Sequence, residues 1–277
     1  SPIFEPGLEE LLQRNIKENR LKFSKATADA VQNTDIIFIA VGTPSSEDGQ
    51  ADLRFVKQVA ADIGKAMTDY RVIVNKSTAP IGTGDIVSQI IRKHYAGEFD
   101  VVSNPEFLRE GFAVSDCLKP NRVVIGTTSE RAKAILSDLY KPLQCPMVIT
   151  DVKTAEMVKY TANALLATEI AFINSVAEIC ERVGADVTKV SEGVKLDHRI
   201  GQHAFLNAGP GFGGSCFPKD VRALTRIAQE TGEPFAILEA VNKENVKHKD
   251  TPYQKLKKHL PDLQDKIIAV FGLAFKA

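Results

Sequence analysis

The sequence predicts an α/β protein: a partial Rossmann-like parallel sheet domain, then a long central helix with an all-helical domain, and the start of a second Rossmann-like domain. Three observations lead there. Over the first half, short apolar runs bounded by turn residues alternate with stretches whose apolar positions recur at helical spacing, the pattern of βαβ units. From Asp151 a helical periodicity continues without glycine or proline until Gly184. Near the end, Lys266-Ile267-Ile268-Ala269-Val270-Phe271-Gly272 returns to a strand-like run.

Each element follows from its local pattern. Pro6-Gly7 opens a helix over 7–18. Ile36-Ile37-Phe38-Ile39-Ala40-Val41, Arg71-Val72-Ile73-Val74 and Val101-Val102-Ser103 read as buried strands, with helices over 52–69 and 83–95 between them. Arg122–Thr127 adds a strand, 129–140 a helix and Met147-Val148-Ile149 another strand. The run over 151–183 is too long for an ordinary surface helix and reads as a link between domains or the core of a dimer. Further helices are expected at 186–195, 218–231 and 234–249. The domain boundaries fall at 1–150, 151–250 and 251–277. A doubly wound nucleotide domain starts with a strand and a glycine turn, and neither precedes Ile36. The expectation is a chain truncated at both ends, without its first βαβ unit and with only the first strand of its last domain.

Lys plus Arg and Asp plus Glu are each 35, so no global field draws the chain to nucleic acid or an anionic membrane. Four irregularly spaced cysteines make neither a disulfide framework nor a zinc site and suit a reducing cytoplasm. No metal is expected. No apolar run approaches the roughly 20 residues of a membrane span.

Chemistry concentrates around Gly209-Pro210-Gly211-Phe212-Gly213-Gly214-Ser215-Cys216-Phe217-Pro218-Lys219-Asp220. The glycines let a ligand approach the backbone, and Pro218 suits the first turn of a helix. A thiol at that helix start, with Lys219 nearby, is placed to act as a nucleophile, whereas Cys117, Cys145 and Cys180 read as structural. Gly209, Gly211 and Gly214 also satisfy G-x-G-x-x-G. A dinucleotide turn needs a preceding strand, and His203–Ala208 is not one. Lys159 and Asn163, four apart, share a helix face on which they could hold an oxygen that gains negative charge, or simply face solvent. Asn104–Gly111, Val74–Pro80 and Val41–Pro44 each follow a strand, at the edge where open α/β sheets bind ligands.

Taken together, the cysteine loop, Arg199-Ile200-Gly201, Phe205–Gly209, Asn104–Gly111 and Val158–Asn163 resemble the nucleotide-sugar 6-dehydrogenases, the UDP-glucose/GDP-mannose dehydrogenase family, and most of all its UDP-glucose 6-dehydrogenases. The resemblance implies NAD as cofactor and a UDP-sugar as substrate, oxidised in two steps from the C6 alcohol to a carboxylate through a thiohemiacetal and a thioester on Cys216. GDP-mannose or UDP-N-acetylmannosamine as substrate, and an inactive fragment that only dimerises and binds sugar nucleotide, stand as alternatives. It implies that Lys159 and Asn163 stabilise the C6 oxygen, and that Asp220, Thr78 and Glu106 handle water and protons. Thr43, Thr78, Glu110 and Lys219 are the implied NAD contacts. The sugar nucleotide is expected against Glu106, Phe107, Leu108, Arg109, Glu110, Lys159, Asn163, Phe205, Leu206, Asn207, Ala208, Gly209, Gly213 and Lys276, with Arg199 reaching it from a neighbouring subunit of a homodimer or higher homo-oligomer.

Overall fold

A computed structural model describes residues 4–44 and 51–271. The chain forms two compact units, which divide between Lys159 and Tyr160. In the first, α1 (Leu8–Lys17) and α2 (Thr27–Gln32) precede β1 (Ile36–Ile39), α3 (Arg54–Ala66), β2 (Val72–Asn75), α4 (Thr83–Arg92) and β3 (Asp100–Ser103). There follow α5 (Ala113–Leu118), β4 (Val123–Gly126), α6 (Glu130–Tyr140), a 3₁₀ turn at Lys141–Leu143, β5 (Met147–Thr150) and the first turns of α7 (Val152–Val183). The second unit holds the rest of α7, then α8 (Val187–Lys195), α9 (Phe217–Glu230) and α10 (Ala236–His259).

The five strands lie in sequence order, β1-β2-β3-β4-β5. β1, β2 and β3 are parallel, as are β4 and β5, but β3 and β4 run antiparallel, with Ser103 opposite Gly126. The expected parallel sheet is thus interrupted at one point, between β3 and β4. A parallel connection needs a crossover, usually an α-helix, and the segment between β3 and β4 contains only the six-residue α5, none of whose residues is buried.

The alternation of side chains along each strand builds two cores. Ile39 and Ile73 face α2, α3 and α4, packing with Val31, Val56, Ile63, Val87 and Ile91. Val72, Val74, Val102, Val123 and Ile125 face the other way, onto Ala132 and Leu136 of α6. β2 is accordingly buried at every position. β1, expected to be buried throughout, is a sheet edge among the described residues, and its Phe38 is 40% exposed.

The start of α7 seats against backbone. A Cβ on Gly84 would come within 2.4 Å of Val152 Cγ1, and one on Gly126 equally close to Ala155 Cβ. Between these contacts lies a buried acid. Glu156 accepts hydrogen bonds from Gly82 N–H at 2.6 Å and Gly84 N–H at 2.9 Å, so its carboxylate fills the start of α4. Burial pushes this carboxyl up to about 7, with Asp85 adding to the rise while the two N–H groups and Lys153 oppose it. Because the folded value lies above the unfolded one, the stabilisation is complete below about pH 4.5 and is lost as pH rises through 7. Glu156→Gln is therefore expected to flatten the fall in stability between pH 5 and 8, by about 2 kcal/mol, in urea titrations. An unchanged pH slope would refute the assignment.

By length and composition α7 could cross a membrane, contrary to the expectation that no run comes close. Its polar side chains say what it does instead. Asn163, Glu169 and Asn174 each hydrogen-bond to another segment of the second unit, as befits a helix in a packed core. α10 outruns its expected end at 249 and continues past Pro252 to His259. Residues 266–271 are not a strand: Ile267 and Phe271 are almost fully exposed, and no ladder partner exists among the described residues.

Candidate active site

The first unit gathers its functional groups where β1, β2 and β3 end. Ser77 stitches the first two loops together, accepting from Val41 N–H at 2.9 Å and donating to Val41 O at 2.7 Å. The buried Thr43 donates to Thr78 O at 2.6 Å. Beyond β3, Glu106 Oε2 accepts from Leu108 N–H at 2.6 Å, which shapes the turn, while Oε1 pairs with Lys159 Nζ at 3.0 Å. Lys159 therefore does not face solvent, being 5% exposed. Phe107 lies near two cations, with Arg122 Cζ 3.6 Å and Lys159 Nζ 5.3 Å from its ring centroid. Leu108, Arg109 and Glu110 are exposed, and Arg109 grips Asp116 through two nitrogens, at 2.9 and 2.7 Å.

In the second unit Cys216 is exposed and caps α9, with Pro218 in the first turn as expected. Asp220, fully buried one turn later, accepts from Asn163 Nδ2 at 2.6 Å and from Lys219 Nζ at 2.5 Å. Lys219, expected only to lie near the thiol, spends its ammonium on this carboxylate. The thiol instead lies 3.6 Å from Ser215 Oγ.

Polar side chains that sequence reasoning passed over hold the loop ahead of Cys216. Glu169 accepts from Phe205 N–H at 2.8 Å, Ser191 donates to Leu206 O, and Asn174 accepts from Gly209 N–H at 2.8 Å. Asn245 binds the Phe212 backbone twice, accepting from N–H at 2.7 Å and donating to the carbonyl at 3.1 Å. A Cβ on Gly211 would fall 2.6 Å from Asn245 Oδ1, and its φ of +106° also demands glycine. On α7 the available signal was a single polar side chain, Glu169 or Asn174, set in an apolar stretch. Leu206 is buried, whereas Phe205, Asn207, Ala208 and Gly209 are exposed and Gly213 is partly so. Asn207 accepts from Lys195 at 2.6 Å. The exposed Arg199 pairs with Asp197. Lys276 lies outside the described residues. Residues 203–208 form no strand, so the glycines here are not a dinucleotide turn.

Residues 1–144 match the NAD binding domain of the UDP-glucose/GDP-mannose dehydrogenase family, and residues 153–247 match that family's central domain. The chain belongs to that family. It is 52% identical over 277 residues to a UDP-glucose 6-dehydrogenase of Bacillus subtilis, covering 99% of this chain and 60% of that protein. It is 46% identical to one of Rhizobium meliloti, covering 99% and 64%. Among solved structures, a UDP-glucose dehydrogenase from Pyrobaculum islandicum superposes with a TM-score of 0.91 at 44% identity, covering 94% of this chain and 61% of that one. A GDP-mannose dehydrogenase from Pseudomonas aeruginosa gives 0.71 at 34%, covering 94% and 62%. The chain thus spans under two thirds of the length of these family members.

The first unit suits the cofactor named by its domain. Parallel strands present Thr43 and Thr78 at their carboxyl ends, and the neighbouring Asn75 Oδ1 is buried without a hydrogen-bond partner. That orphan acceptor fits a site completed by a ligand donor.

Proposed function

We propose that a full-length protein carrying this chain is an NAD-dependent UDP-glucose 6-dehydrogenase, oxidising UDP-glucose to UDP-glucuronate. The observation that carries this reading is the buried Asn163–Asp220 hydrogen bond, set one turn into the helix that Cys216 caps. It gives each group a defined role. Cys216, as thiolate, adds to the C6 aldehyde formed by the first oxidation; an S–C bond forms, and the carbonyl oxygen takes up a proton as the thiohemiacetal. Loss of a hydride and that proton leaves a thioester. Water then adds, the C–S bond breaks, and carboxylate and thiol are released.

Asn163 uses one amide hydrogen on Asp220, which leaves the other to hold the C6 oxygen as charge builds on it. Lys159, four residues earlier on α7, supplies positive charge to the same oxygen, and Glu106 orients it. Asp220 accepts a proton from the attacking water, and Thr78 and Glu106 act through a further water. Thr43, Thr78, Glu110 and Lys219 would hold NAD⁺, which would supply the hydride-accepting chemistry of both oxidations. Glu106 to Glu110, Lys159, Asn163, Phe205 to Gly209, Gly213 and Lys276 hold the sugar nucleotide.

The functional form on this reading is a cytoplasmic homodimer, to which Arg199 of each copy contributes. Leu165, Phe172 and Ile179 recur every seven residues along α7 and are 60%, 61% and 59% exposed, a stripe suited to a second copy. The decisive assay follows NADH against product: two NADH per UDP-glucose consumed, with little from GDP-mannose or UDP-N-acetylmannosamine. A preference for either alternative would move the substrate assignment. Sedimentation of the same sample should show a dimer.

A further inference from the structure

Asn104 is fully buried at the end of β3, immediately before Pro105 and Glu106, and three elements converge on it. Its Nδ2 donates to Val124 O of β4 at 2.7 Å, and its backbone N–H donates to Asn75 O of β2 at 2.9 Å. Its Oδ1 accepts twice, from Tyr140 OH at the end of α6 at 2.5 Å and from Lys76 Nζ beyond β2 at 2.9 Å. Lys76 also lies 3.4 Å from Tyr140 OH and 5.6 Å from the centre of its ring. Among the described residues no carboxylate forms an ion pair with the Lys76 ammonium.

Such a cation is expensive to keep unless its charge is used, because burial favours the neutral amine. Burial does pull Lys76 below the usual lysine range. Cys117 and Glu106 favour its charged form, and Lys159 opposes it. Burial holds Tyr140 up at about 12, so its phenol remains a donor to Asn104. Asn104 Oδ1 would therefore stay satisfied by Tyr140 without Lys76. The lysine is redundant for filling that hydrogen bond, but it adds a charge-assisted grip on the residue from which the Glu106 turn hangs.

We propose that Lys76 is a positioning residue for the oxidation: with Tyr140 it fixes Asn104, and through Asn104 the Pro105-Glu106-Phe107 turn that presents Glu106 to Lys159. This rests on the dehydrogenase reading given above. The ammonium contributes function at some cost in stability, a combination that a purely structural lysine would not show.

Lys76→Met keeps the stem and removes the charge. In a full-length protein carrying this chain, kcat for UDP-glucose is expected to fall about 10- to 100-fold with KM changed less than about threefold. The melting temperature is expected to hold or to rise by roughly 2 °C. Tyr140→Phe, which leaves Lys76 in place, should lower kcat less. The Lys76 ammonium signal in lysine-side-chain NMR of the 277-residue chain should titrate below the surface lysines and move on Tyr140→Phe. An unchanged kcat in Lys76→Met, or a kcat loss matched by a fall in melting temperature, would overturn the proposal. If the unmutated protein reduces no NAD⁺ with UDP-glucose, the dehydrogenase reading has failed instead, and the NMR titration still decides whether Lys76 is the perturbed cation.

Discussion

Cys216→Ala is expected to abolish UDP-glucuronate formation, lowering its rate on the order of 10³-fold or more, while leaving the fold intact. The thiol is exposed at the cap of α9, so its removal opens no cavity, and stability should stay within about 0.5 kcal/mol. The chemistry is affected more selectively than the rate alone shows. Without sulfur to capture the aldehyde, any residual reaction should stop near one NADH per sugar, with no covalent adduct at residue 216 by mass spectrometry. Wild-type protein should give two NADH and a trappable thioester. A variant that produced UDP-glucuronate at the wild-type rate would show that carbon–sulfur bonding plays no part.

Why this cysteine could be singled out before any geometry was known is physical. Glycines on one side and a helix-compatible proline on the other constrain the backbone locally, and local constraints are written in neighbouring residues. The strands of the first unit were legible for the same reason, since Val72–Val74 and Val123–Ile125 are buried whatever their partners. What stayed hidden depends on distant residues. Strand direction between β3 and β4 is set by what fills their connection, and nothing in Val123–Gly126 itself encodes it. The Lys159 spacing left solvent open as an alternative, and only Glu106, far away in sequence, settles that it is paired. Lys219 was read beside Cys216 because the two are close in sequence, whereas the structure pairs its ammonium with Asp220. Asn245 and Asn174 were passed over because a single amide on a helix gives no periodic signal, although each carries part of the loop that leads to Cys216.

The second large effect is expected from Asp220→Asn, and the three side chains around it show why an isosteric change should be so costly. Both carboxylate oxygens accept, one from Asn163 and the other from Lys219. An amide offers a single acceptor oxygen, so its NH₂ must face either the Asn163 amide or the lysine ammonium, donor against donor. The two neighbours differ in their means of escape. The Lys219 side chain keeps 16% of its surface in solvent and can swing out to water, but Asn163 is 7% exposed and cannot. The penalty therefore falls on Asn163, as a buried donor losing a charge-assisted bond, at roughly 2–3 kcal/mol of unfolding free energy. The same event frees the Asn163 amide from the orientation in which it would hold the C6 oxygen, and it removes the base for water. A fall in kcat on the order of 10²-fold or more is expected. Lys219→Met leaves the Asn163–Asp220 bond standing but takes the counter-charge from a buried carboxylate, and is expected to cost about 3 kcal/mol. The sharpest measurement is a double-mutant cycle of Asp220→Asn with Asn163→Ala. Once Asn163 is gone, the asparagine at 220 has no buried donor to oppose it, so the two stability losses should fall well short of adding. Additive losses would mean that the 2.6 Å contact carries no coupling and that Asp220 does not hold Asn163 for the reaction.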